Sequence, residues 1–286
     1  MFRLSATVAL LATALAVAVP AGSAAAAGPG SPPDVAVIGH RGSGNMAPEN
    51  TLASVRLALK QGADYVENDI MRTKDGQLVV THDLSLARTT NVEQVFPERT
   101  TYQVADYTLA EIKRLDAGSW FGSEYAGQRI LTLREWVEAV GSSAGMLLEA
   151  KDPWAFPGIE TDIDKELRSI PTFVQALRKG RVIMQAGDEA WLRSFHQLAP
   201  DVPVALLYYT RPTDEQLVAA STWLDAVNPA LGNIDEAIVD RTHELGLKTY
   251  VWTVNFGGDM NRGIDWGVDG IITDYPGVLA DVLRTR

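Results

Sequence analysis

The stretch Tyr65-Val66-Glu67-Asn68-Asp69-Ile70-Met71-Arg72-Thr73-Lys74-Asp75-Gly76-Gln77-Leu78-Val79-Val80-Thr81-His82-Asp83 decides the fold. Two β-type apolar runs, Tyr65–Ile70 and Leu78–Thr81, are separated only by Met71 to Gln77. A parallel crossover needs about a dozen residues, so these two strands are antiparallel, with Lys74-Asp75-Gly76 as the turn. Similar short runs recur at Val35–Gly39, Met146–Ala150, Val182–Gln185, Val204–Tyr208, Trp223–Val227, Thr249–Val254 and Gly270–Thr273. Amphipathic stretches lie between most of them, at Thr51–Gln61, Leu133–Val140, Glu189–Leu198, Asp235–Leu245 and Val278–Arg284. Such alternation predicts an α/β fold on a parallel sheet. Setting the hairpin's return strand aside leaves eight parallel strands. Eight is the count of a TIM-type (β/α)8 barrel, whose active sites sit at the C-terminal strand ends. The alternative is an open doubly wound sheet, but no glycine-rich phosphate loop follows the first strand. Residues 84–131 break the alternation. They read as a small insertion over one end of the barrel, with a short helix near Leu109–Leu115.

The same hairpin orders the chemistry. Glu67 and Asp69 are two apart on a strand and share a face, with Asn68 on the other. A four-residue loop, Thr73–Gly76, sets Glu67 opposite His82. A two-residue loop, Asp75-Gly76, sets Asp69 there instead. Either register puts His82 on the carboxylates' face. Glu149 falls near the end of the fourth strand as a third inward acid, with Lys151 beside it. Like charges so placed need a cation between them. Oxygen-only ligands in a chain without Cys point to a hard divalent ion, Ca²⁺ or Mg²⁺.

The first strand ends in Gly39-His40-Arg41-Gly42. Gly42 and Gly44 let the backbone turn, so that His40 and Arg41 both reach the pocket. Arg41 suits bidentate capture of a phosphate. In Pro48-Glu49-Asn50-Thr51, Asn50 or Thr51 caps the next helix, and Glu49 is placed to orient His40. Two histidines, a divalent ion and an Arg/Lys pair fit phosphoester cleavage. One histidine takes a proton from the attacking oxygen and the other protonates the leaving alkoxide. His196 and His243 lie on predicted helices and match no motif; they read as surface or capping residues.

The N-terminus is of another kind. Arg3, the apolar run Leu4 to Val19 and the small residues that follow predict a secretory signal peptide over residues 1–27. Residues 28–33, Gly-Pro-Gly-Ser-Pro-Pro, predict a disordered lead-in, and 34–286 the barrel domain. Export without Cys means no disulfide staples. The formal charge of −11 becomes −12 without Arg3, a surface that repels nucleic acid and anionic membranes. No stable membrane anchor is expected, and a secreted or extracytoplasmic location favours Ca²⁺ over Mg²⁺.

Taken together, Gly39-His40-Arg41-Gly42, Pro48-Glu49-Asn50-Thr51, Glu67-x-Asp69, Asp75-Gly76…His82-Asp83, Glu149-x-Lys151, Trp252-Thr253-Val254-Asn255 and Gly267 to Asp274 resemble the glycerophosphodiester phosphodiesterases. The loop Lys151 to Glu160 is similar to the exported branch of that family. The resemblance runs through the whole mature chain. It implies a TIM barrel with an insertion after the His82 hairpin, and His40 and His82 as acid and base, with His40 the base of the first step. It implies Glu67, Asp69 and Glu149 as metal ligands, Arg41 and Lys151 on phosphate, and Trp252 as a wall of the glycerol pocket. The products would be sn-glycerol 3-phosphate and an alcohol: choline, ethanolamine, glycerol or a cell-wall glycerol-phosphate polymer. One departure is Met184-Gln185-Ala186-Gly187-Asp188, where the family usually shows Ser-Phe after the fifth strand. Asn68 and Ala150 also stand where apolar residues are commoner. Two rival readings are a phospholipase D-like lyase on sphingomyelin or lysophospholipids, with Trp154 and Phe156 as its apolar loop, and a non-catalytic barrel that binds phosphoesters.

Overall fold

A computed structural model describes residues 35–286; the expected signal peptide and the whole of the lead-in lie outside the described residues. Nine strands form one sheet: β1 (Ala36–Gly39), β2 (Tyr65–Arg72), β3 (Leu78–Val80), β4 (Gly145–Ala150), β5 (Val182–Ala186), β6 (Val204–Tyr208), β7 (Ala226–Pro229), β8 (Lys248–Val251) and β9 (Gly270–Thr273). Eight of them, all but β3, pair in parallel in the order β1-β2-β4-β5-β6-β7-β8-β9, and β9 pairs with β1 to close the ring. The chain is therefore an eight-stranded parallel α/β barrel, not an open doubly wound sheet. Two strand expectations shift. The seventh begins at Ala226 because Trp223 belongs to the turn after helix Asp214–Ala220, and the eighth stops at Val251.

Inward residues alternate along each strand and change character with height. The lower layers are apolar: Ile38, Leu147, Ile183, Ala205, Ala226, Tyr250 and Ile272 form a core of their own inside the barrel. Gly145 is required there, because a Cβ would stand 2.3 Å from the Tyr65 ring. One pleat repeat higher, the same faces carry Glu67, Asp69, Glu149, Gln185 and Asn228, all buried. The period of two that fills the bottom with hydrocarbon thus delivers polar groups to the top. A second, larger core lies between the strands and the surrounding helices, with Trp136, Phe173 and Phe195 fully buried. No helix among the described residues is long and apolar enough to cross a membrane.

Residues 84–131 contain short helical turns and the helix Leu109–Ile112, whose Thr108 and Glu111 form a capping box. Asn68, on the outer face of β2, is fully buried, and neither of its side-chain polar atoms finds a partner. His196 is not a capping residue; its ring packs 6.0 Å from Trp223. His243 does have a partner: its Nε2 lies 2.9 Å from Asp269 Oδ2, which also accepts the Thr249 N–H at 2.8 Å. That bond holds the imidazole above its ordinary pKa, against partial burial. A raised pKa stabilises the fold below the unfolded value and is lost as pH rises through the folded one. His243→Gln is therefore expected to lower stability to urea more at about pH 5.5 than at about pH 9, by less than about 1 kcal/mol for so exposed a pair; equal losses at both would contradict it.

Candidate active site

Strand β2 decides how the two histidines meet. On one edge it pairs with β4 from Tyr65 to Ile70. On the other edge β1 pairs only at Tyr65 and Val66, and β3 takes over from Ile70 in the opposite direction. The chain leaving β1 and the chain leaving β3 therefore face each other beside Glu67-Asn68-Asp69. His40 is one residue past β1, and His82 is two past β3. The register corrects the sequence argument. Arg72 pairs with Leu78, and the Thr73 N–H donates to the Gln77 carbonyl, so the loop has three residues, Lys74-Asp75-Gly76. Continued regularly, that register would set His82 opposite Asn68, on the wrong face. His82 reaches the pocket because the ladder's last bond is the Thr81 N–H to the Asp69 carbonyl at 2.9 Å and the chain then bends from His82 to Leu84, not because of the pleat.

The turn after β1 is tight. Arg41 and Gly42 both adopt left-handed conformations, φ 54° and 86°. At Gly42 a Cβ would also lie 2.6 Å from the Ser54 backbone carbon, so only glycine fits. The Arg41 N–H donates to Glu67 Oε2 at 2.7 Å. Its carbonyl accepts from the Asn50 N–H at 3.0 Å and Ser54 Oγ at 2.8 Å. Of the two cap candidates, Thr51 caps helix Leu52–Lys60. Asn50 does not; it too is left-handed, φ 59°, and its buried amide donates to Asp69 Oδ2 at 2.8 Å. A strained non-glycine residue that places one hydrogen bond is a positioning device.

Glu67, Asp69 and Glu149 each offer an oxygen within 4.8 Å of the others, and all three side chains are buried. Such a pair of like charges repels by roughly 3 kcal/mol at an effective dielectric of 20. Burial and the neighbouring acids push Glu67 well above the usual carboxylate range. Burial and Asp69 also push Glu149 up. Burial would raise Asp69 as well, but Arg41, His82, Lys151 and the Asn50 amide outweigh it and hold its carboxyl low. Lys151 Nζ lies 3.0 Å from Glu149 Oε1, and Gln185 Nε2 donates to Glu149 Oε2 at 3.1 Å. Gln185 is itself held by Asn228 at 2.7 Å. The departure at Met184-Gln185 therefore supplies a support for Glu149. Glu67 Oε1 is buried with no partner. An orphaned carboxylate oxygen in an all-oxygen donor set suits a hard divalent cation.

Each histidine has its own aspartate. His40 Nδ1 lies 2.6 Å from Asp274 Oδ1, and His82 Nδ1 lies 2.6 Å from Asp83 Oδ1. Anchoring Nδ1 fixes the ring and leaves Nε2 for chemistry. Asp274 is held in turn by Asn45 and Asn255, and Asp83 by Arg88. Burial lowers the His82 pKa, with Arg41 and Lys151 adding to the shift and Asp69 and Asp83 opposing it. Glu49 makes no hydrogen bond to His40. It accepts from Arg41 at 2.9 Å and from both terminal nitrogens of Arg88 at 2.7 and 2.8 Å, so its oxygens are spent on guanidinium groups. Arg41 is correspondingly less free than a bidentate clamp requires: Nη1 faces Glu49, and Nε lies 3.3 Å from Asp69 without hydrogen-bond alignment.

These groups surround a pocket of about 310 Å³ at the C-terminal mouth of the barrel. Its lining combines the polar His40, Arg41, His82, Glu149 and Lys151 with Leu207, Tyr209, Trp252 and Ile272. Trp252 donates its Nε1 to the Asn228 carbonyl and meets Tyr209 edge to face at 5.3 Å. Of the candidate site residues, His40, Arg41, His82, Glu149, Lys151 and Trp252 line this pocket, Glu67 and Asp69 lie with Glu149 in the acidic cluster, and Glu49 is not in the lining but pairs with Arg41. Asn50, Asp83, Arg88, Gln185, Asn228 and Asp274 carry roles that the sequence reading did not assign. The signal for Asp83 and Asp274 was the need of each histidine for an Nδ1 partner. Of the apolar loop in the lyase reading, Trp154 is 67% exposed but Phe156 is buried.

Residues 40–278 match the model of the Glycerophosphoryl diester phosphodiesterase family. The chain belongs to that family. A glycerophosphodiester phosphodiesterase of Bacillus subtilis (strain 168) is 34% identical over 266 residues, covering 89% of this chain and 88% of its own. Another, from Caldanaerobacter subterraneus subsp. tengcongensis, is 38% identical over 250 residues, with 87% and 97% covered. A phosphodiesterase of Oleispira antarctica, solved in complex with the product sn-glycerol-3-phosphate, superposes with a TM-score of 0.73 at 29% identity, covering 87% of this chain and 96% of its own. For a glycerophosphoryl diester phosphodiesterase family member with Glu67 and Glu149 raised in this way, cation binding must expel protons. Titrating Ca²⁺ or Mg²⁺ at about pH 5.5 in buffers of different ionisation enthalpy is expected to give buffer-dependent heats that shrink as pH is raised. Buffer-independent heats at the lower pH would exclude these carboxylates as the proton source.

Proposed function

We propose that this chain is an exported, divalent-metal-dependent phosphodiesterase that hydrolyses glycerophosphodiesters to sn-glycerol 3-phosphate and an alcohol. Family membership supports the phosphodiesterase activity. The observation that carries the mechanism is the pair of aspartate-anchored histidines flanking a buried three-carboxylate cluster. Glu67, Asp69 and Glu149 would hold the cation, which we assign as Ca²⁺, and which when bound supplies positive charge for the phosphoryl oxygens. Lys151 and the remaining Arg41 nitrogen bind the phosphate, and Trp252 walls the glycerol. The apolar run Leu4 to Val19 and the small residues after it, read as a signal peptide over residues 1–27, support export.

In this reading His40 removes the proton from the glycerol 2-hydroxyl, and that oxygen attacks phosphorus. His82 protonates the departing alkoxide. Its depressed pKa makes it a stronger proton donor once charged. Water then opens the cyclic phosphate with the two roles reversed. Asp274 and Asp83 keep each ring oriented and stabilise its charged form in turn.

Two measurements test the reading. His40→Ala and His82→Ala are each expected to lower kcat by about 10²–10⁴-fold, with the fold unchanged by circular dichroism; retained turnover in either variant would move the acid/base chemistry elsewhere. A diester lacking the 2-hydroxyl is expected to resist hydrolysis. Cleavage at the ordinary rate would replace the cyclic route with direct attack by water.

A further inference from the structure

A second cleft, of about 400 Å³, opens from the wall of the catalytic pocket. The two share Glu149, Lys151 and Tyr209. A phosphodiester has two arms on phosphorus, and two clefts share the wall that carries Lys151. The first is walled by Trp252, Leu207 and Ile272 and suits the glycerol arm. The second is lined by Asp152, Trp154, Gly187, Asp188 and Tyr209.

Three features of this second cleft are unusual. Asp152 holds a left-handed backbone at φ 42°, a conformation a non-glycine residue keeps only under constraint. Its position starts the turn Pro153–Ala155, which carries Trp154 at 67% exposure. At Gly187 a Cβ would lie 2.6 Å from the Tyr209 hydroxyl, so the missing side chain is what lets the Tyr209 ring lie over the cleft. The charge balance is the third. Glu149, Asp152 and Asp188 face one cation, Lys151, and its ammonium is already 3.0 Å from Glu149. Asp188 uses Oδ1 to cap helix Glu189–Leu198 through the Trp191 N–H at 3.0 Å, and this leaves Oδ2. Two open aromatic faces beside two carboxylates without a cationic partner form a receptor for a positive group.

Given the phosphodiesterase reading above, we propose that this second cleft holds the leaving alcohol and selects a cationic amino alcohol over neutral or anionic ones. Asp152 and Asp188 supply the charge, and Trp154 and Tyr209 supply π faces. A glycerol-phosphate polymer, anionic along its length, is disfavoured by the same two carboxylates.

The full chain supplied with Ca²⁺ is assayed on sn-glycero-3-phosphocholine and on its 3,3-dimethylbutyl ester, in which carbon replaces the quaternary nitrogen. The shapes match and only the charge differs. The choline ester is expected to show a kcat/KM about tenfold higher. In Asp152→Asn/Asp188→Asn that ratio should fall to about two or less, since Asn preserves the helix cap at 188. Trp154→Ala should lower the ratio as well. A wild-type ratio near one overturns the proposal, and so does a double variant that slows both esters equally. Hydrolysis of both esters at equal rates sinks the cationic subsite alone, whereas hydrolysis of neither sinks the phosphodiesterase reading with it.

Discussion

Three buried carboxylates within 4.8 Å are the constraint around which the rest of the site is arranged. Left alone they would repel one another and take up protons, as the raised values of Glu67 and Glu149 show. Each therefore has a dedicated support. Glu67 accepts the Arg41 backbone N–H, Asp69 accepts the Asn50 amide, and Glu149 is bracketed by Lys151 and Gln185. The supports leave one oxygen of Glu67 without a partner. That imbalance is why the cluster suits a cation rather than a structural salt-bridge network, which would satisfy every oxygen.

Two of the left-handed non-glycine positions serve the cluster directly. Arg41 and Asn50 are both left-handed, and both aim a donor at one of the three acids. The insertion after β3 contributes Arg88, which ties Glu49 to Asp83 and so links the Arg41 turn to the His82 anchor. The histidines are thus held on two chain segments that are cross-braced, which suits catalytic groups that must exchange acid and base roles without moving.

Much of this was legible in the sequence. Period-two alternation with short apolar runs gave eight parallel strands and one antiparallel return, and the strand-end positions of His40, Glu67, Asp69, His82 and Glu149 marked the mouth. The side-chain face of His82 was inferred from pleat parity on a loop of even length. The loop has three residues, so the parity argument points the wrong way, and His82 reaches the pocket only because the chain bends from that residue on. Glu49 was set to orient His40 because it lies nearby in sequence, but two guanidinium groups claim it. Asn50 looked like a helix cap because caps and buried positioning amides use the same residue type. Gln185 looked like a loss at a family position, and its value appears only beside Glu149 on the neighbouring strand.

By itself the sequence determined which residue types stand at which strand ends, because alternation and turn chemistry are local properties. Which atoms meet was decided by the closed barrel. Closure brings β9 against β1, so that Asp274 reaches His40 across 234 residues of chain. It also stacks β2, β4 and β5 in a register that converges three acids and an amide. Nothing local encodes those encounters; they follow from the ring of hydrogen bonds that fixes each strand's height relative to its neighbours.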